Sequence, residues 1–492
     1  MRIDSSAAPC RPVRPAVPAV ATGRRQPSRP LRLSALTAIC LLAACAVHEP
    51  AMRPDLPMPA RWTEPAGDAA TVIDPQWWRG FNSAQLDTLV GEALAGSGDL
   101  RIAAQRVQQA EIALGLAGVG KLPIVNASAS TGATRADDPQ SDPVTRKSSG
   151  AGLSASYEVD LWGRIAAGVR AGEATLAASQ FDQDAARLSV TANVAIGYFQ
   201  WLATQERLAI ARENLATAER VLRVVEARRR NEVATALEVS QQRTTVLAQR
   251  TALEPLALQQ RQIASALALL LGRVPQAMTL QSEPFAALAI PEVTPGLPSS
   301  LLYRRPDLAA AEAQLAAADA NVEAARAALL PTFALSASGN LGTAALLSLA
   351  NPSTSLSVGL SLAQNIFDSG RLRLQARNVQ TQRLILLETY AAAVRSALKE
   401  VDDGLGNVDV NRRQEVSLRA VLEQARESLR LAELRYREGA GDLLAVLDAQ
   451  RTLFAAQDSL VIVRLARLSA AVGLYRALGG GWAGPAPLAA GR

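Results

Sequence analysis

QERLAIARENLATAERVLRVVEARRR, residues 205–230, and RRQEVSLRAVLEQARESLRLAELRYR, residues 412–437, are two copies of one pattern. In the first, Leu208, Ala211, Leu215, Ala218, Leu222 and Val225 recur at spacings of 3, 4, 3, 4 and 3. In the second, Leu418, Leu422, Ala425, Leu429, Ala432 and Tyr436 recur at 4, 3, 4, 3 and 4. Such alternation lays one apolar seam along a helix, the heptad pattern of a coiled coil, and its alanines call for close packing. Each copy ends a longer uninterrupted helical pattern, 164–230 and 371–437. At ~1.5 Å per residue each becomes a rod of roughly 100 Å.

The duplication reaches beyond the rods. Gly163-Arg164 aligns with Gly370-Arg371, 207 residues on, and the same offset pairs Arg228 with Arg435 and Leu271-Gly272 with Leu478-Gly479. Upstream the offset is 208, pairing Asp99-Leu100 with Asp307-Leu308 and Leu122-Pro123 with Leu330-Pro331. One unit of about 180 residues has therefore been duplicated with a single-residue change of length inside it. The expected organisation is a first repeat over 76–273, a Pro-rich linker over 274–300, a second repeat over 301–481 and a tail over 482–492. Aromatic residues make up only 4% of the chain, and its Ala and Leu content suits long packed helices better than one large globular core.

The net charge of +6 is a property of the N-terminus. Residues 1–44 hold seven Arg and one acid, Asp4, which leaves 44 basic and 44 acidic residues in the remainder. A balanced remainder argues against nucleic acid as a partner. Arg24, Arg25, Arg29 and Arg32 precede an apolar run from Leu33 to Ala44, so residues 1–44 read as a signal peptide. The run ends Leu42-Ala43-Ala44-Cys45, which resembles a bacterial lipobox. That resemblance implies a lipoprotein with Cys45 as its acylated, palmitate-bearing N-terminus, and Ala46 after it implies sorting to the outer membrane. Cys10 and Cys40 would leave with the signal, so no disulfide is expected. Residues 45–75, rich in Pro and Ala, read as an extended lipid-anchored tether.

Between the helices the period changes from 3.6 to 2. Ala151, Leu153, Ala155, Tyr157 and Val159 alternate with polar or small residues, and Leu356, Val358, Leu360 and Leu362 alternate with Ser355, Ser357, Gly359 and Ser361. These are strands with one apolar face. Ile124 to Thr134 and the stretch around Phe333, Leu335 and Ala337 are their partners, giving hairpins at about 124–160 and about 332–367. Residues 135–149 read as a solvated loop and 342–354 as a more apolar one. No run of 18 apolar residues exists, so a membrane crossing requires the strands. Strands cross lipid only as a closed barrel, and barrels begin at about eight strands. Four per chain implies a barrel shared between two or three chains.

In order and duplicated, the motifs Trp77-Trp78, Arg304-Arg305-Pro306-Asp307-Leu308 with Ala311-Glu312, Leu330-Pro331, Ile366-Phe367-Asp368-Ser369-Gly370-Arg371, and Arg435-Tyr436-Arg437-Glu438-Gly439 followed by Leu447-Asp448-Ala449-Gln450 resemble the TolC family of outer-membrane factors, in its NodT-like lipoprotein branch. The resemblance spans residues 42–481. It implies a mainly α fold with a β-barrel: a homotrimer whose chains each give four strands to one twelve-stranded transmembrane barrel in outer-membrane lipid, above a long tunnel of coiled-coil-like helices in the periplasm. It implies partners in a periplasmic adaptor (membrane fusion) protein and an inner-membrane pump of the RND type, and a passive role as the exit duct of a tripartite efflux pump. It places a pore gate at the second helix reversal, where Tyr436, Asp442 and Asp448 stand and where Ala445 replaces a frequent acid. Three Asp448 carboxylates brought together would favour cations. Against this, an Asp at a helix start also serves the helix dipole. Arg435, Gly439, Val233 and Ala234 are candidates for the adaptor contact, with Glu232 standing where the second copy has Gly439.

Catalysis finds no support. His48 is the only His, and no metal cluster, nucleophile motif or phosphate loop is present, so neither enzyme activity nor a cofactor is expected. Two other readings are an outer-membrane channel for type I protein secretion on the same fold, and a periplasmic helical adaptor without a pore. The duplicated unit and the two amphipathic hairpins separate the chain from the latter.

Overall fold

The computed structural model describes residues 53–64 and 73–484. Cys45 and the signal peptide lie outside the described residues, as does most of the tether. Each half repeats helix, β-hairpin, long helix and return helix. The first half contains α1 (Ala84–Gly96), α2 (Gly98–Val119), β1 (Ile124–Asp138), β2 (Ser141–Val159), α3 (Arg164–Arg230) and α4 (Ala236–Leu270). The second contains α5 (Pro306–Ala327), β3 (Thr332–Thr343), β4 (Ser353–Ala363), α6 (Arg371–Arg437) and α7 (Leu443–Ala477). None of these helices is long and apolar enough to cross a membrane.

The two 67-residue helices start in the same way. Asp160 accepts from the backbone N–H groups of Ile165 and Ala166, at 3.0 and 2.7 Å. Asp368 accepts from Gly370 and Leu372, both at 3.0 Å. Carboxylates here satisfy amides that a helix start leaves unpaired. Gly163 and Gly370 sit between, at φ of 74° and 81°, which an L side chain disfavours. The spans Asp160-Leu161-Trp162-Gly163 and Asp368-Ser369-Gly370 differ by one residue. This strand-to-helix junction is where the repeat offset drops from 208 to 207. The extra residue is put to use, because Trp162 Nε1 donates to the Pro331 carbonyl at 2.6 Å and ties the halves together.

A second duplicated contact closes each half. A Cβ on Gly272 would lie 2.1 Å from the carbonyl oxygen of Gly96, and a Cβ on Gly479 would lie 1.8 Å from that of Arg304. The end of each return helix therefore touches the backbone just ahead of the repeat's upper helix. At the second site Arg305 is buried, donating to Asp307 (2.7 Å), Glu400 (2.8 Å) and the Ala477 carbonyl (3.2 Å). The Arg-Arg-Pro-Asp-Leu motif is thus a joint between α5, α6 and α7. Trp77 stacks on Tyr475 with centroids 5.1 Å apart, and Trp78 Nε1 donates to Asp87 at 2.9 Å. Both Trp belong to the helical core.

The sheet is antiparallel in the order β1-β2-β3-β4. Its register sets Val125 beside Ala155, Ala155 beside Ala337 and Ala337 beside Val358. Neighbouring rungs set Tyr157 beside Leu335 and Leu335 beside Leu360. The alternating apolar positions from Val125 to Leu362 fall on one face, and Ser128, Ser154, Ser156, Ser336, Ser338, Ser357 and Ser361 fall on the other, with Ile124 and Ala334 among them. The first hairpin is longer than the sequence suggests. Residues 135–149, expected as a solvated loop, continue both strands, and only residues 139 and 140 turn. Polar residues such as Thr134 and Arg146 still pair through their backbones. A ladder needs no apolar face where both sides meet water, so hydropathy missed it.

The helices lie in two tiers. In one tier the neighbours run α2–α3–α5–α6, and in the other they run α4–α3–α7–α6. α4 continues without a break through Pro255. The linker 274–300 carries short 3-10 turns, with Phe285 and Leu288 buried in the core. Residues 53–64 are extended and docked, Trp62 Nε1 donating to the Gly296 carbonyl at 2.7 Å and Thr63 Oγ1 to Asp402 at 2.7 Å.

Candidate functional site

The two helix reversals end with the same backbone device. After α6, the Gly439 N–H donates to Tyr436 O (3.2 Å) and the Ala440 N–H to Arg435 O (2.9 Å). After α3, the Glu232 N–H donates to Arg229 O (3.0 Å) and the Val233 N–H to Arg228 O (2.9 Å). This is the Schellman closure, which needs one left-handed residue. Gly439 supplies it at φ 77°, and Glu232 does so at φ 61° against its own preference. Each return helix is then capped. Thr235 and Glu238 form a reciprocal capping box, and Asp442 accepts from the Ala445 N–H at 2.9 Å.

One cluster joins the two reversals. The Arg228 guanidinium lies over the Tyr436 ring, 4.7 Å from its centroid, and Nη1 donates to the Tyr436 carbonyl at 2.7 Å. The Tyr436 hydroxyl in turn donates to Glu238 at 3.3 Å. Burial, then the nearby Glu238 carboxylate, pushes the Tyr436 phenol up from its ordinary value. Glu238 is held below the carboxylate range, first by the Thr235 N–H and also by the Tyr436 hydroxyl and Arg228, against the opposing effect of burial. Tyr436 is buried. It therefore latches the α3–α4 turn to the α6–α7 turn rather than lining an open surface. Its two partners are absent from the sequence-based list. Arg228 entered the sequence reading only as the repeat partner of Arg435, and Glu238 did not enter it at all.

Asp448 is exposed and pairs with Arg451 three residues on, at 2.5 Å. Both line an open groove between α4 and α7, with Gln241, Thr244, Leu444 and Phe454. Sixteen residues further along α7, Arg464 donates to the carbonyls of Ala286 (2.7 Å) and Leu288 (3.0 Å) in the linker. At 3.6 residues per turn, Asp448 and Arg464 lie about 160° apart around the helix. Asp448 thus faces away from the linker side.

The other expected residues separate. Val233, Arg435 and Gly439 are exposed at the reversals. Ala234 is buried and offers no side chain to a partner, which removes it from the expected contact surface. Asp442 is occupied as a helix cap.

Sequence reasoning also missed Glu415. Counting back in sevens from Tyr436 through Leu429 and Leu422 reaches Glu415, a charge in the apolar seam. It is 1% exposed and bound by three guanidinium groups, Arg464 at 2.8 Å, Arg467 at 2.9 Å and Arg419 at 2.5 Å. Burial pushes its pKa up, but the guanidinium groups outweigh burial and leave it lowered. The signal was there in the heptad count. In the first copy the seam is shifted as well: Asn214, Val221 and Val225 are buried while Leu215 and Leu222 are half-buried, because α3 is covered by both α4 and α7. Among the described residues no group of His, Cys, Asp and Glu could hold a metal ion.

A family model described as "Outer membrane efflux protein" matches residues 89–273 and 297–480. The chain is 43% identical over 462 residues to the pyoverdine export outer membrane protein OpmQ of Pseudomonas aeruginosa, covering 92% of this chain and 97% of that one. It is 33% identical over 463 residues to the solvent efflux pump outer membrane protein SrpC of Pseudomonas putida, covering 90% and 97%. Among solved structures, the outer-membrane channel OprN matches with a TM-score of 0.80 at 29% identity over 88% of this chain and 99% of that one. CusC matches with a TM-score of 0.77 at 29% identity, over 87% and 98%.

Proposed function

The chain belongs to the outer membrane efflux protein family, as an outer-membrane component of efflux pumps and not an enzyme, and on that premise we propose that three copies close into one passive exit duct. A periplasmic adaptor and an inner-membrane pump of the RND type deliver its cargo, and an acylated Cys45 anchors it to outer-membrane lipid. Two repeats flank a Pro-rich linker in each copy.

The observation that carries this reading is a coincidence of open edges. The sheet ends on β1 and β4, one helical tier ends on α2 and α6, and the other ends on α4 and α6. First-half elements thus close one side of every layer, and α6 or β4 closes the other. Both sides leave apolar side chains uncovered, Ile112 and Leu116 on α2 and Leu374, Ile385 and Val416 on α6. Joining one side to the other is a head-to-tail contact, which makes a ring when the rotation closes. Three copies give twelve strands, enough for a barrel with the Ser-rich face as its lumen.

Within that duct, the Arg228–Tyr436–Glu238 cluster is the latch that holds the periplasmic mouth shut, and Asp448 with Arg451 lines the passage. Asp442 supports the gate as a cap. Val233, Arg435 and Gly439 meet the adaptor. The similarity to proteins named for pyoverdine export and for solvent efflux alike supports a duct that leaves the choice of cargo to its pump. The test is the mass of the detergent-purified protein by light scattering, followed by planar-bilayer recording. A trimer with small, rarely open currents supports the reading, and a monomer without conductance sinks it.

A further inference from the structure

We propose that the β3–β4 loop, residues 344–352, is a lipid-contact pad that lies against the acyl chains of the outer leaflet at the external rim of the barrel. The proposal rests on the barrel reading above.

The direction in which the loop folds comes from three hydroxyls. Thr131 pairs with Ser149 and Ser149 with Thr343, a rung two residues beyond Ala129, Ala151 and Leu341 on the same apolar face. All three hold the backbone of the loop. Ser149 Oγ donates to the Ala345 carbonyl at 2.7 Å, Thr131 Oγ1 accepts from the Leu347 N–H at 3.2 Å, and Thr343 Oγ1 donates to the Ser348 carbonyl at 2.6 Å. Ser149 is left only 6% exposed. The loop is therefore folded over the outward, lipid-facing side of the sheet and not across its polar lumen. Leu347 is held at φ 54°, a left-handed conformation that a leucine adopts only when its surroundings impose it.

From that position the loop shows apolar side chains to the outside. Leu346, Leu347 and Leu349 are 44%, 81% and 47% exposed. Water is a poor partner for three neighbouring leucines, and the surface they extend is the apolar band of the strands. The height also fits. Ten residues from Phe333 to Thr343 span about 33 Å along the strand, and a tilt of about 40° brings this to about 25 Å, the height of the apolar band of such barrels. The loop thus sits at the band's outer edge. Irregular backbone near hydrocarbon must have its polar groups satisfied within the protein, and the three hydroxyls do this for the Ala345 and Ser348 carbonyls and the Leu347 N–H.

The strand sequences give a reason for such a pad. Barrels carry aromatic girdles at both interfaces. Here Tyr157, Trp162, Phe333 and Phe367 gather at the end where strands meet helices, and no Phe, Tyr or Trp occurs within 130–149 or 340–356 at the other end. Leucines on a pinned loop take the place of the missing outer girdle.

The test is spin-label accessibility in proteoliposomes, using oxygen as the lipid-soluble relaxant and a nickel chelate as the water-soluble one. Labels enter through Leu347→Cys, with Val358→Cys on the apolar face and Ser357→Cys on the polar face as references, each in a chain without other free thiols. The expected result is a ratio of oxygen to nickel accessibility at 347 close to that at 358 and several-fold above that at 357. A lipid-like 358 with a water-like 347 overturns the pad and leaves the barrel standing. A water-like 358 removes the barrel reading, and the pad falls with it.

Discussion

Replacing Arg228 by Ala tests whether the cluster between the two reversals is the latch of the mouth. The change removes a guanidinium 4.7 Å above the Tyr436 ring and its 2.7 Å hydrogen bond to the Tyr436 carbonyl, and leaves the Tyr436 hydroxyl on Glu238. A hydrogen bond from a charged donor contributes about 1.5–3 kcal/mol, and an exposed cation–π contact about 0.5–1. Part of this returns when water replaces the guanidinium, so about 2 kcal/mol per subunit is a fair figure. In the proposed trimer, three subunits opening together would lose about 6 kcal/mol, which corresponds to about four decades in the ratio of closed to open duct. A duct that is almost always shut should then be open for most of a planar-bilayer recording. Its mass in detergent should stay trimeric, because Arg228 lies at the tip and away from the apolar edges of α2. Unchanged open probability with an unchanged trimer refutes the latch.

Four further outcomes are expected. Asp448 is paired with Arg451, so the passage should be weakly selective; Arg451→Ala should make it cation-selective and Asp448→Ala anion-selective, and unaltered reversal potentials in both would remove the pair from the passage. Gly439→Glu should abolish efflux with trimer yield intact: Glu232 already holds a left-handed conformation in the matching turn, so the strain of about 1–2 kcal/mol is tolerable; full efflux speaks against an adaptor contact there. The folded-state pKa of Glu238 is lowered, so its contribution is complete above the ordinary glutamate value of roughly 4.3 and lost as pH falls through the folded value. Open probability should therefore rise on acidification below that range, and a flat profile in bilayers would dissociate Glu238 from gating. Glu415→Gln should cost about 3–5 kcal/mol by leaving buried guanidinium groups uncompensated, read as a lower melting temperature, and a temperature within error of the parent would contradict the role assigned to the cluster.

Much of the fold was legible because it rests on periods. The steps of three and four in Leu422, Ala425 and Leu429 find those residues buried, and the alternation of Leu356, Val358, Leu360 and Leu362 finds them on one face. Where burial has two causes the period blurs. α3 is covered from both sides, so Asn214 is buried and Leu215 is not fully so. The extension of β1 and β2 through residues 135–149 left no hydropathy trace, since backbone pairing alone sustains it. Of the proposed gate, Tyr436 and Asp448 were legible through resemblance, but Arg228 and Glu238 reach Tyr436 from about 200 residues away. No local pattern brings such groups together, and only the superposed turns do.

The duplication separates what builds the fold from what is specific to the mouth. The structural joints occur twice: Asp160 and Asp368 cap the long helices, and Gly272 and Gly479 press on the backbone ahead of α2 and α5. The latch does not repeat. At the 207-residue offset Tyr436 corresponds to Arg229, Arg228 to Arg435 and Glu238 to Ala445, so a mirrored cluster lacks its aromatic ring and its acid. Glu415, too, corresponds to Leu208. Within one chain the proposed latch thus sits on one contact between hairpins, α3–α4 against α6–α7, with no counterpart at the 207-residue offset. In the proposed trimer, opening the mouth would need one kind of joint to give way three times over, while the duplicated joints would keep each chain's own fold.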